Sequence, residues 1–448
     1  MAEPRPSGKF KGSENLRTRM HTLVGAPGVD SAAVPVLSRV HSTLRLGGFN
    51  PDLDFYKQVR TDMLQGLRSA QKGNGNGSVS FIRHDLTPEP IVTNGIGQAF
   101  VYGGTGYDHS TFEVRDGQIV EELRRESRPL EPGENIIDLI TQDHTTRVGR
   151  RKVRVQAISG NIAQELIPGT GPYGELDGTP TARSAGVKGQ TIKERPMGDM
   201  VRESLGRPEL RVTFGNDTIA IAGFDGAVIY GTGMNDALIG RETQPSEHSR
   251  PPGIYDFRAD LYDIQGVTLD GQAGKRIAVN LESGAQEMPQ YAKPLIAKID
   301  ALLPENEQGK HEIEKLAAGG YLAVNFNLAA EALRINTRIK DGGDLSALAE
   351  SDPGDAGEIA RVLLIRSAML QAAQLAAVYE FMGGKPLTLV GDGSLITKGW
   401  DGHMKEMVQD GLKIFGVPEG GVTLETPDDV TMKGARGLLT GSIDLAAA

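Results

Sequence analysis

The chain has 448 residues and a mass of 47.9 kDa, which is enough for two or three domains by length alone. Hydrophobic residues make up 38% of it and charged residues 24%, so it can bury a sizeable core. The 48 basic and 58 acidic side chains give a net charge of −10, which argues against a general nucleic-acid binder and against charge-driven binding to an anionic membrane. The chain has no cysteine, which excludes disulfides, thiol nucleophiles, thiolate zinc sites and iron–sulfur clusters.

No segment has the composition of a membrane span or a secretory signal. The longest apolar stretch, Ile359 to Met382, contains Arg361, Arg366 and Glu380, whereas a span needs about 20 mostly apolar residues. The first twenty residues carry charge and proline but no apolar core. We therefore expect a soluble, cytoplasmic protein.

In the first half of the chain, short β-like runs follow a helix. Apolar residues at helical spacing from Phe55 to Leu67 predict a helix over 51–70. Asp116-Gly117 predicts a hairpin turn, residues 168–186 predict a loop, and Met197–Leu205 predicts a short helix. The predicted strands are Ile96–Tyr102, Ser110–Val114, Gln118–Val120, Lys152–Ile158 and Leu210–Thr213.

The second half is predominantly helical by its pattern. The predicted helices are 290–303, 308–335, 356–382, 401–414 and one from about residue 431. The predicted strands are the pair Thr218–Ala222 and Gly226–Tyr230, then Val279–Leu281 and Pro386–Val390. This alternation predicts an α/β protein with mixed sheets.

Common catalytic motifs are absent from the sequence. It contains no GxxxxGK[ST] loop, no complete GxGxxG, no HExxH and no GxSxG elbow. Eight scattered histidines disfavour a histidine metal site.

Three glycine-rich turns lie at the ends of predicted strands, at Tyr102–Gly106, Tyr230–Asn235 and Val390–Ser394. The backbone N–H groups of such turns can bind phosphate oxygens. A single turn of this kind is more often only a turn, but three of them beside strands favour a nucleotide.

Two acidic residues also lie at strand ends. Asp217 follows Asn216 between two apolar strands, which is typical of a turn but also of a partly desolvated general base. Glu282 directly follows a predicted buried strand, where a carboxylate is costly unless it meets a partner. Such a carboxylate could accept hydrogen bonds from ligand hydroxyls.

Taken in order, these motifs resemble those of the hexokinase family. The family pattern has Asn-Asp-Thr, a Gly-Thr-Gly-Ser-Asn phosphate turn and Asn-x-Glu-Trp-Gly-Ala. Here they are Asn216-Asp-Thr218, Gly231-Thr-Gly-Met-Asn235 and Asn280-Leu-Glu-Ser-Gly-Ala285. Residues 308–322 resemble the family's Glu-Lys-Met helix, 391–395 its Val-Asp-Gly-Ser-Leu turn, and 428–435 its adenosine motif. The resemblance covers residues 50 to 440.

The resemblance implies an actin-like ATPase (ribonuclease H-like) fold with two α/β domains flanking a cleft. It places a helical segment of the large domain at 1–83, the small domain at 84–214, the large domain at 215–438, and a tail returning to the small domain at 439–448. It implies phosphorylation of a hexose such as glucose at its 6-hydroxyl, with ATP and Mg²⁺. The partners would be small molecules only, without nucleic acid or membrane.

The resemblance also assigns roles by position. Asp217 is the base that deprotonates the sugar's 6-hydroxyl. The remaining sugar-binding positions are Ser159, Lys188, Asn216, Asn235, Glu282 and Glu314. The nucleotide-binding positions are Gly103, Gly104, Thr105, Gly231, Thr232, Gly233, Gly393, Ser394, Thr431, Lys433 and Gly434.

The first phosphate motif departs from the family pattern, Asp-Leu-Gly-Gly-Thr-Asn-Phe-Arg. In the family, the first residue of this motif is an Asp that supports magnesium through water, and Val101 replaces it here. Asp108 replaces the family's Arg. We predict that Asp108 serves the metal from the other side of the turn. The alternative is that Asp108 is a solvated turn residue.

Two other functions stay open. One is a sugar-binding, catalytically weak homologue that acts as a sensor or regulator, which Val101 and Asp108 favour. The other is an actin-like assembly or chaperone ATPase, which the polar set Glu282, Glu314 and Lys188 disfavours.

Overall fold

The structure of the chain is a computed structural model. It describes residues 13–25, 39–71, 79, 81–85, 90–102, 106–130, 134, 136–144, 147–148, 151–162, 166–167, 179–180, 196–215, 224–242, 255–256 and 277–441. The predicted strand Thr218–Ala222 lies outside these residues, as does the predicted loop 168–186 apart from 179–180.

Most α-helices of the described residues lie in the C-terminal half of the chain. They are α1 (Ser13–Val24), α2 (Arg39–Leu46), α3 (Leu53–Gln71), α4 (Ile136–Asp143), α5 (Met197–Leu205), α6 (Lys293–Asp300), α7 (Glu312–Ala317), α8 (Gly319–Ala332), α9 (Gly342–Ser351), α10 (Asp355–Phe381), α11 (Ser394–Lys398), α12 (Met404–Ile414) and α13 (Val430–Thr440).

The strands are concentrated between residues 82 and 280. They are β1 (Ile82–Asp85), β2 (Gly95–Tyr102), β3 (Gly106–Arg115), β4 (Gln118–Pro129), β5 (Arg147–Val148), β6 (Arg151–Lys152), β7 (Val155–Ile162), β8 (Leu166–Ile167), β9 (Thr179–Pro180), β10 (Arg211–Gly215), β11 (Gly226–Tyr230), β12 (Met234–Glu242), β13 (Tyr255–Asp256), β14 (Ile277–Asn280), β15 (Leu387–Asp392) and β16 (Val422–Glu425).

Two large sheets repeat one topology. The five-stranded sheet has the order β10-β7-β2-β3-β4, and the seven-stranded sheet has the order β1-β14-β12-β11-β15-β16, with β13 paired to β12. In the smaller sheet β2, β3 and β4 are antiparallel, while β7 and β10 run parallel to β2. In the larger sheet β11, β12 and β14 are antiparallel, while β15 and β16 run parallel to β11. The predicted α/β architecture with mixed sheets is confirmed.

Alternating strand residues divide the core into layers. On the five-stranded sheet, Phe100 faces α4 and α5, and its neighbour Ala99 faces the other way. On the seven-stranded sheet, Val228 packs with the helices around α10, and Ala227 faces the other way. Leu438 of α13 packs in the same cluster as the two alanines. Helix α13 therefore lies in the core between the two sheets.

Helix α10 is the central helix of the larger core. It is long and apolar enough to cross a membrane by composition, but 94% of its most apolar window is buried inside the protein. A helix that is apolar on all sides is normally a core helix, and the packing of α10 against α3, α12 and α9 agrees with that.

Several elements match their sequence predictions closely. The predicted helix 51–70 is α3, Met197–Leu205 is α5, and Gly226–Tyr230 is β11. Asp116 and Gly117 form the turn between β3 and β4 with φ of 51° and 78°, the left-handed values that a two-residue hairpin turn requires.

The predicted single helix 308–335 is wrong. The structure has α7 and α8, separated at Ala318, whose φ of −73° and ψ of 146° are extended. The break lets Gly319 and Gly320 dock on the turn after β11. The predicted helix 290–303 is α-helical only over Lys293–Asp300, after a 3₁₀ turn.

Strands β4 and β12 differ most from the sequence predictions. Strand β4 runs to Pro129 rather than Val120, because it is a charged and largely exposed edge strand without apolar alternation. Strand β12 has no counterpart in the predictions, since its first residues belong to the predicted glycine turn.

Candidate functional site

The turn between β11 and β12 is fixed by α8. Gly231 O accepts the N–H of Gly319 at 2.7 Å, and Thr232 O accepts the N–H of Gly320 at 3.0 Å. A Cβ on Gly319 or Gly320 would lie 2.7 Å from those oxygens, so only glycine fits there. In a trans peptide the N–H points away from the C=O, so the N–H groups of Thr232 and Gly233 point away from α8. That face of the turn can bind a phosphate.

The loop after β15 lies against the same turn. A Cβ on Gly231 would be 3.2 Å from the backbone N of Ser394. A Cβ on Gly393 would be 2.8 Å from Tyr230 O, and its φ of 98° is one that glycine alone adopts readily. The structure thus brings together Gly231–Gly233 and Gly393–Ser394, two of the turns that the sequence predicts for a nucleotide.

Glu314 lies between this turn and the loop after β14. Its Oε1 accepts the N–H of Met234 at 2.9 Å. A Cβ would lie 2.9 Å from the same oxygen if added to Gly233, and 2.6 Å if added to Gly284. The Nδ1 of His311 lies 3.4 Å from the other carboxylate oxygen. Gly233 and Gly284 therefore make room for the Glu314 carboxylate between the turn after β11 and the loop after β14.

Glu282 is held in a strained backbone conformation. Its φ is 49°, in the left-handed region, which costs roughly 1–2 kcal/mol for a residue other than glycine. Asn280 donates from Nδ2 to Glu282 Oε1 at 2.7 Å and accepts the Glu282 N–H at 3.0 Å. Both the side chain and the backbone of Glu282 are therefore oriented by Asn280, and strain of this kind is common at functional sites.

Asn235 and Asp236 begin β12 beside the turn. The side-chain oxygen of Asn235 is buried and has no hydrogen-bond partner among the described residues. Buried acceptors are normally paired, so this oxygen is suited to a ligand hydroxyl. Burial raises the pKa of Asp236 to about 6, and a hydrogen bond from Gln371 opposes that rise.

Asp108 lies directly opposite Val101 in the β2–β3 pair. Opposed residues of antiparallel strands share a face, with Cβ atoms about 5 Å apart. Val101 packs against the core between the sheets, and Asp108 is half-buried. The Asp108 carboxylate is thus adjacent to the position at which the resembled motif carries its Asp.

The first turn of α13 is tied to the loop after β15. The Thr431 hydroxyl donates to Asp392 Oδ2, and Asp392 Oδ1 accepts the N–H of Gly393 at 2.7 Å. Lys433 is exposed on the same turn, whereas Gly434 is buried. Of the three predicted adenosine-motif residues, Thr431 is therefore linked through Asp392 to the loop at Gly393–Ser394.

Ser159 is fully enclosed in β7. Its hydroxyl has no hydrogen-bond partner in the described part of the chain, and neither does the hydroxyl of its cross-strand neighbour Thr213 on β10. Sugar contact at Ser159 stays a prediction. The predicted site residues outside the described ranges are Gly103, Gly104, Thr105, Lys188, Asn216 and Asp217.

A metal held by many protein ligands has no support here. Among the described residues, no group of three or more His, Cys, Asp or Glu side chains is placed to hold a metal ion. Magnesium, however, is commonly held by one or two carboxylates together with substrate phosphates. A single carboxylate such as Asp108 fits that kind of site.

Sequence reasoning missed the polar residues behind the site. Gln371 and Gln374 interrupt an apolar helix at a spacing of three residues. The sequence predicts that helix and excludes a membrane span there, but the two glutamines were given no role at the site. Both side chains are fully buried, with hydrogen bonds that reach Asp236 and Ser283. Buried polar residues on one helix face were the available signal.

The chain shares its fold with hexokinases of known structure. Hexokinase from Schistosoma mansoni, solved in complex with glucose, aligns with a TM-score of 0.61 and 17% identity over 90% of this chain and 98% of that chain. A second hexokinase crystal structure aligns with a TM-score of 0.54 and 16% identity over 96% of this chain and 100% of that one. No protein-family model matches the sequence, and no curated protein matches it. The predicted actin-like fold is confirmed.

Proposed function

We propose that the chain is a sugar kinase that transfers the terminal phosphoryl group of ATP to the 6-hydroxyl of a hexose such as glucose. The observation that carries this proposal is the position of Glu314. Its carboxylate accepts the N–H of Met234, beside the turn Gly231–Gly233, and lies against Gly284 in the loop that follows Glu282. A carboxylate at that junction can hold a sugar hydroxyl close to a bound phosphate. The fold shared with a hexokinase solved with glucose supports the same substrate class.

Sugar hydroxyls would be held by groups that the fold orients in advance. Glu282 is fixed by Asn280, Glu314 by the Met234 N–H, and Asn235 carries a buried oxygen with no partner among the described residues. Hydrogen bonds to charged groups are worth roughly 1.5–3 kcal/mol each. By resemblance, Lys188 and Asn216 complete the set.

The transfer itself requires a base and a phosphate cradle. Asp217 removes the proton of the 6-hydroxyl as that oxygen attacks the terminal phosphorus, and the bond from phosphorus to the bridging oxygen of ADP breaks. The N–H groups of Thr232 and Gly233 and the loop at Gly393 hold the phosphates. Asp108 would help to hold Mg²⁺ bound with ATP, and that ion would supply charge neutralisation at the phosphates. Closure of the two domains would exclude water and limit ATP hydrolysis.

One observation favours a second function. Val101 replaces the Asp of the resembled phosphate motif, so the chain could bind sugar and act as a regulator with weak catalysis. The position of Asp108 opposite Val101 is the reason we prefer the kinase.

A coupled assay of ADP formation, with and without glucose, separates these functions. A sugar kinase releases ADP only when glucose is present. A regulator binds glucose in calorimetry without glucose-dependent ADP release, and an assembly ATPase releases ADP regardless of glucose. Either of the last two results contradicts the proposed function.

A further inference from the structure

Helix α10 carries a row of fully buried polar side chains. We call it the polar row, and it consists of Arg366, Ser367, Gln371 and Gln374, each at most 1% exposed. Buried polar groups cost free energy unless they are hydrogen-bonded. The partners of the row lie on the elements that carry the candidate site.

The N-terminal part of the row holds the elements beside Glu314. Arg366 donates to Leu316 O at 2.6 Å, in the helix that carries Glu314. The Ser367 hydroxyl donates to Ala317 O at 2.5 Å and bonds the hydroxyl of Tyr230, the residue before the phosphate turn.

The C-terminal part of the row reaches the loop that contains Glu282. Gln371 Nε2 donates to Asp236 Oδ1 at 3.1 Å. The backbone oxygen of Asp236 accepts the N–H of Leu281, the residue before Glu282, at 2.9 Å. Asp236 thus links Gln371 to the residue on the N-terminal side of Glu282.

Gln374 fixes the far end of the same loop. Its Nε2 donates to Ser283 O and to Gln286 Oε1, both at 2.9 Å. Gln286 in turn donates to Val59 O of α3 at 2.8 Å. The loop is therefore anchored to two core helices on its buried side.

These anchors explain how Glu282 keeps its conformation. A residue other than glycine with a φ of 49° relaxes unless its neighbours are held. Leu281 and Ser283 are those neighbours. Asp236 accepts the N–H of Leu281, and Gln374 donates to the backbone oxygen of Ser283.

We propose that Asp236 and Gln371 are positioning residues that hold Glu282 in its sugar-binding conformation from inside the core. The proposal rests on the proposed function, since Glu282 is assigned to the sugar there. Neither residue touches the substrate, so each acts through the Leu281–Ser283 loop.

The first test is glucose affinity in four variants. Gln371→Met conserves volume and removes the donor, and Asp236→Leu removes the acceptor. Both should weaken glucose binding by about 10-fold and raise the KM for glucose with kcat nearly unchanged. Asp236→Asn keeps an acceptor for Gln371 and should retain the parent's affinity. Arg361→Met removes a buried polar contact to α9 on the same helix and should leave glucose affinity unchanged.

The second test uses no sugar. Hydrogen exchange at the Leu281 amide should be faster in Gln371→Met than in the parent, and unchanged in Arg361→Met. This separates the two proposals, because a parent that fails to bind glucose refutes the proposed function while the exchange result still decides the positioning role. Unchanged exchange at Leu281 in Gln371→Met overturns the inference, as does an equal loss of glucose affinity in Arg361→Met.

Discussion

At the scale of single residues, the carboxylates Glu282 and Glu314 bear most of the proposed sugar binding. Glu282→Gln and Glu314→Gln each keep the shape and remove the charge, so glucose affinity should fall by about 10-fold or more. ATP affinity should fall less. Calorimetry with each ligand measures both, with Glu331→Gln on the exposed side of α8 as the control. Equal losses for the two ligands would mean that the carboxylates support the fold instead.

Asp108 is the residue on which the proposed magnesium handling depends. Its carboxylate shares a face with Val101, on the strand that leads into the first glycine turn. Asp108→Asn should therefore raise the magnesium concentration needed for half-maximal rate, without changing glucose affinity. Asp116→Asn, at the opposite end of the same hairpin, is the matched control. If Asp108→Asn has the parent's magnesium dependence, Asp108 is a solvated strand residue.

Asp236 should make stability depend on pH. Burial raises its pKa from 3.8 to about 6, so the protonated carboxyl favours the folded state. That stabilisation is complete below about pH 4 and is lost as the pH rises through about 6. Asp236→Asn does not titrate at this position and so lacks the loss that the parent undergoes. The free energy of unfolding of Asp236→Asn minus that of the parent should therefore be larger at neutral pH than at low pH, by up to roughly 3 kcal/mol.

Urea unfolding at about pH 4 and about pH 8 measures this difference. The gain of Asp236→Asn over the parent should be larger at the higher pH. A gain that is equal at both pH values contradicts the assignment of a buried, neutral carboxyl.

Residues at glycine turns could be identified from sequence, and the polar network could not. Gly231 and Gly393 stand out because a turn between strands requires them locally. Asp236 and Gln371 are 135 residues apart in the chain. The polar interruption of an apolar helix indicates that Gln371 needs a buried partner but not which residue that partner is. Only the packing of α10 behind β12 makes them partners.

Helices and strands with a strong apolar periodicity could be predicted from the sequence. Elements whose ends depend on contacts with distant parts of the chain could not. Helix α3 and strand β11 follow their apolar patterns. The break between α7 and α8 does not, because docking on the turn after β11 overrides the helical pattern at Ala318. Strand β4 was only partly predicted, since an exposed edge strand needs no apolar face.

The loop at Ser283–Ala285 should not tolerate a side chain at Gly284. A Cβ there would clash with Met234 O and lie 2.6 Å from Glu314 Oε1. Gly284→Ala should destabilise the protein by about 1–3 kcal/mol, the usual range for overpacking, and weaken glucose binding. Urea unfolding and calorimetry measure the two effects.

Gly343→Ala is the control for that variant. Gly343 is exposed in the first turn of α9, and the nearest atom to its Cβ would be Asp341 Oδ1 at 3.1 Å. Because alanine is the better helix former by up to about 1 kcal/mol, this change should be neutral or stabilising. A Gly284→Ala protein as stable as Gly343→Ala, with the parent's glucose affinity, would contradict the proposed geometry.

For the whole molecule, the repeated sheet topology and α13 explain how one chain can form two coupled halves. Helix α13 packs on β2, β7 and β10 from Val430 onward, and shares a core with Ala227 of the other sheet. The order of motifs along the sequence carries the resemblance to the hexokinase family, and that resemblance predicted this fold. The domain boundaries at residues 83, 214 and 438 stay predictions.

In the proposed reaction the terminal phosphoryl group of ATP moves to the 6-hydroxyl oxygen of glucose, and Asp217 takes the proton of that hydroxyl. Phosphorus NMR of the parent incubated with ATP, magnesium and glucose measures the product directly. We predict a glucose 6-phosphate resonance that forms at a rate lower by about 10² to 10⁴ in Asp217→Ala, while calorimetry shows that this variant still binds glucose. Inorganic phosphate as the only new product of the parent, or near-parent turnover in Asp217→Ala, would contradict the account.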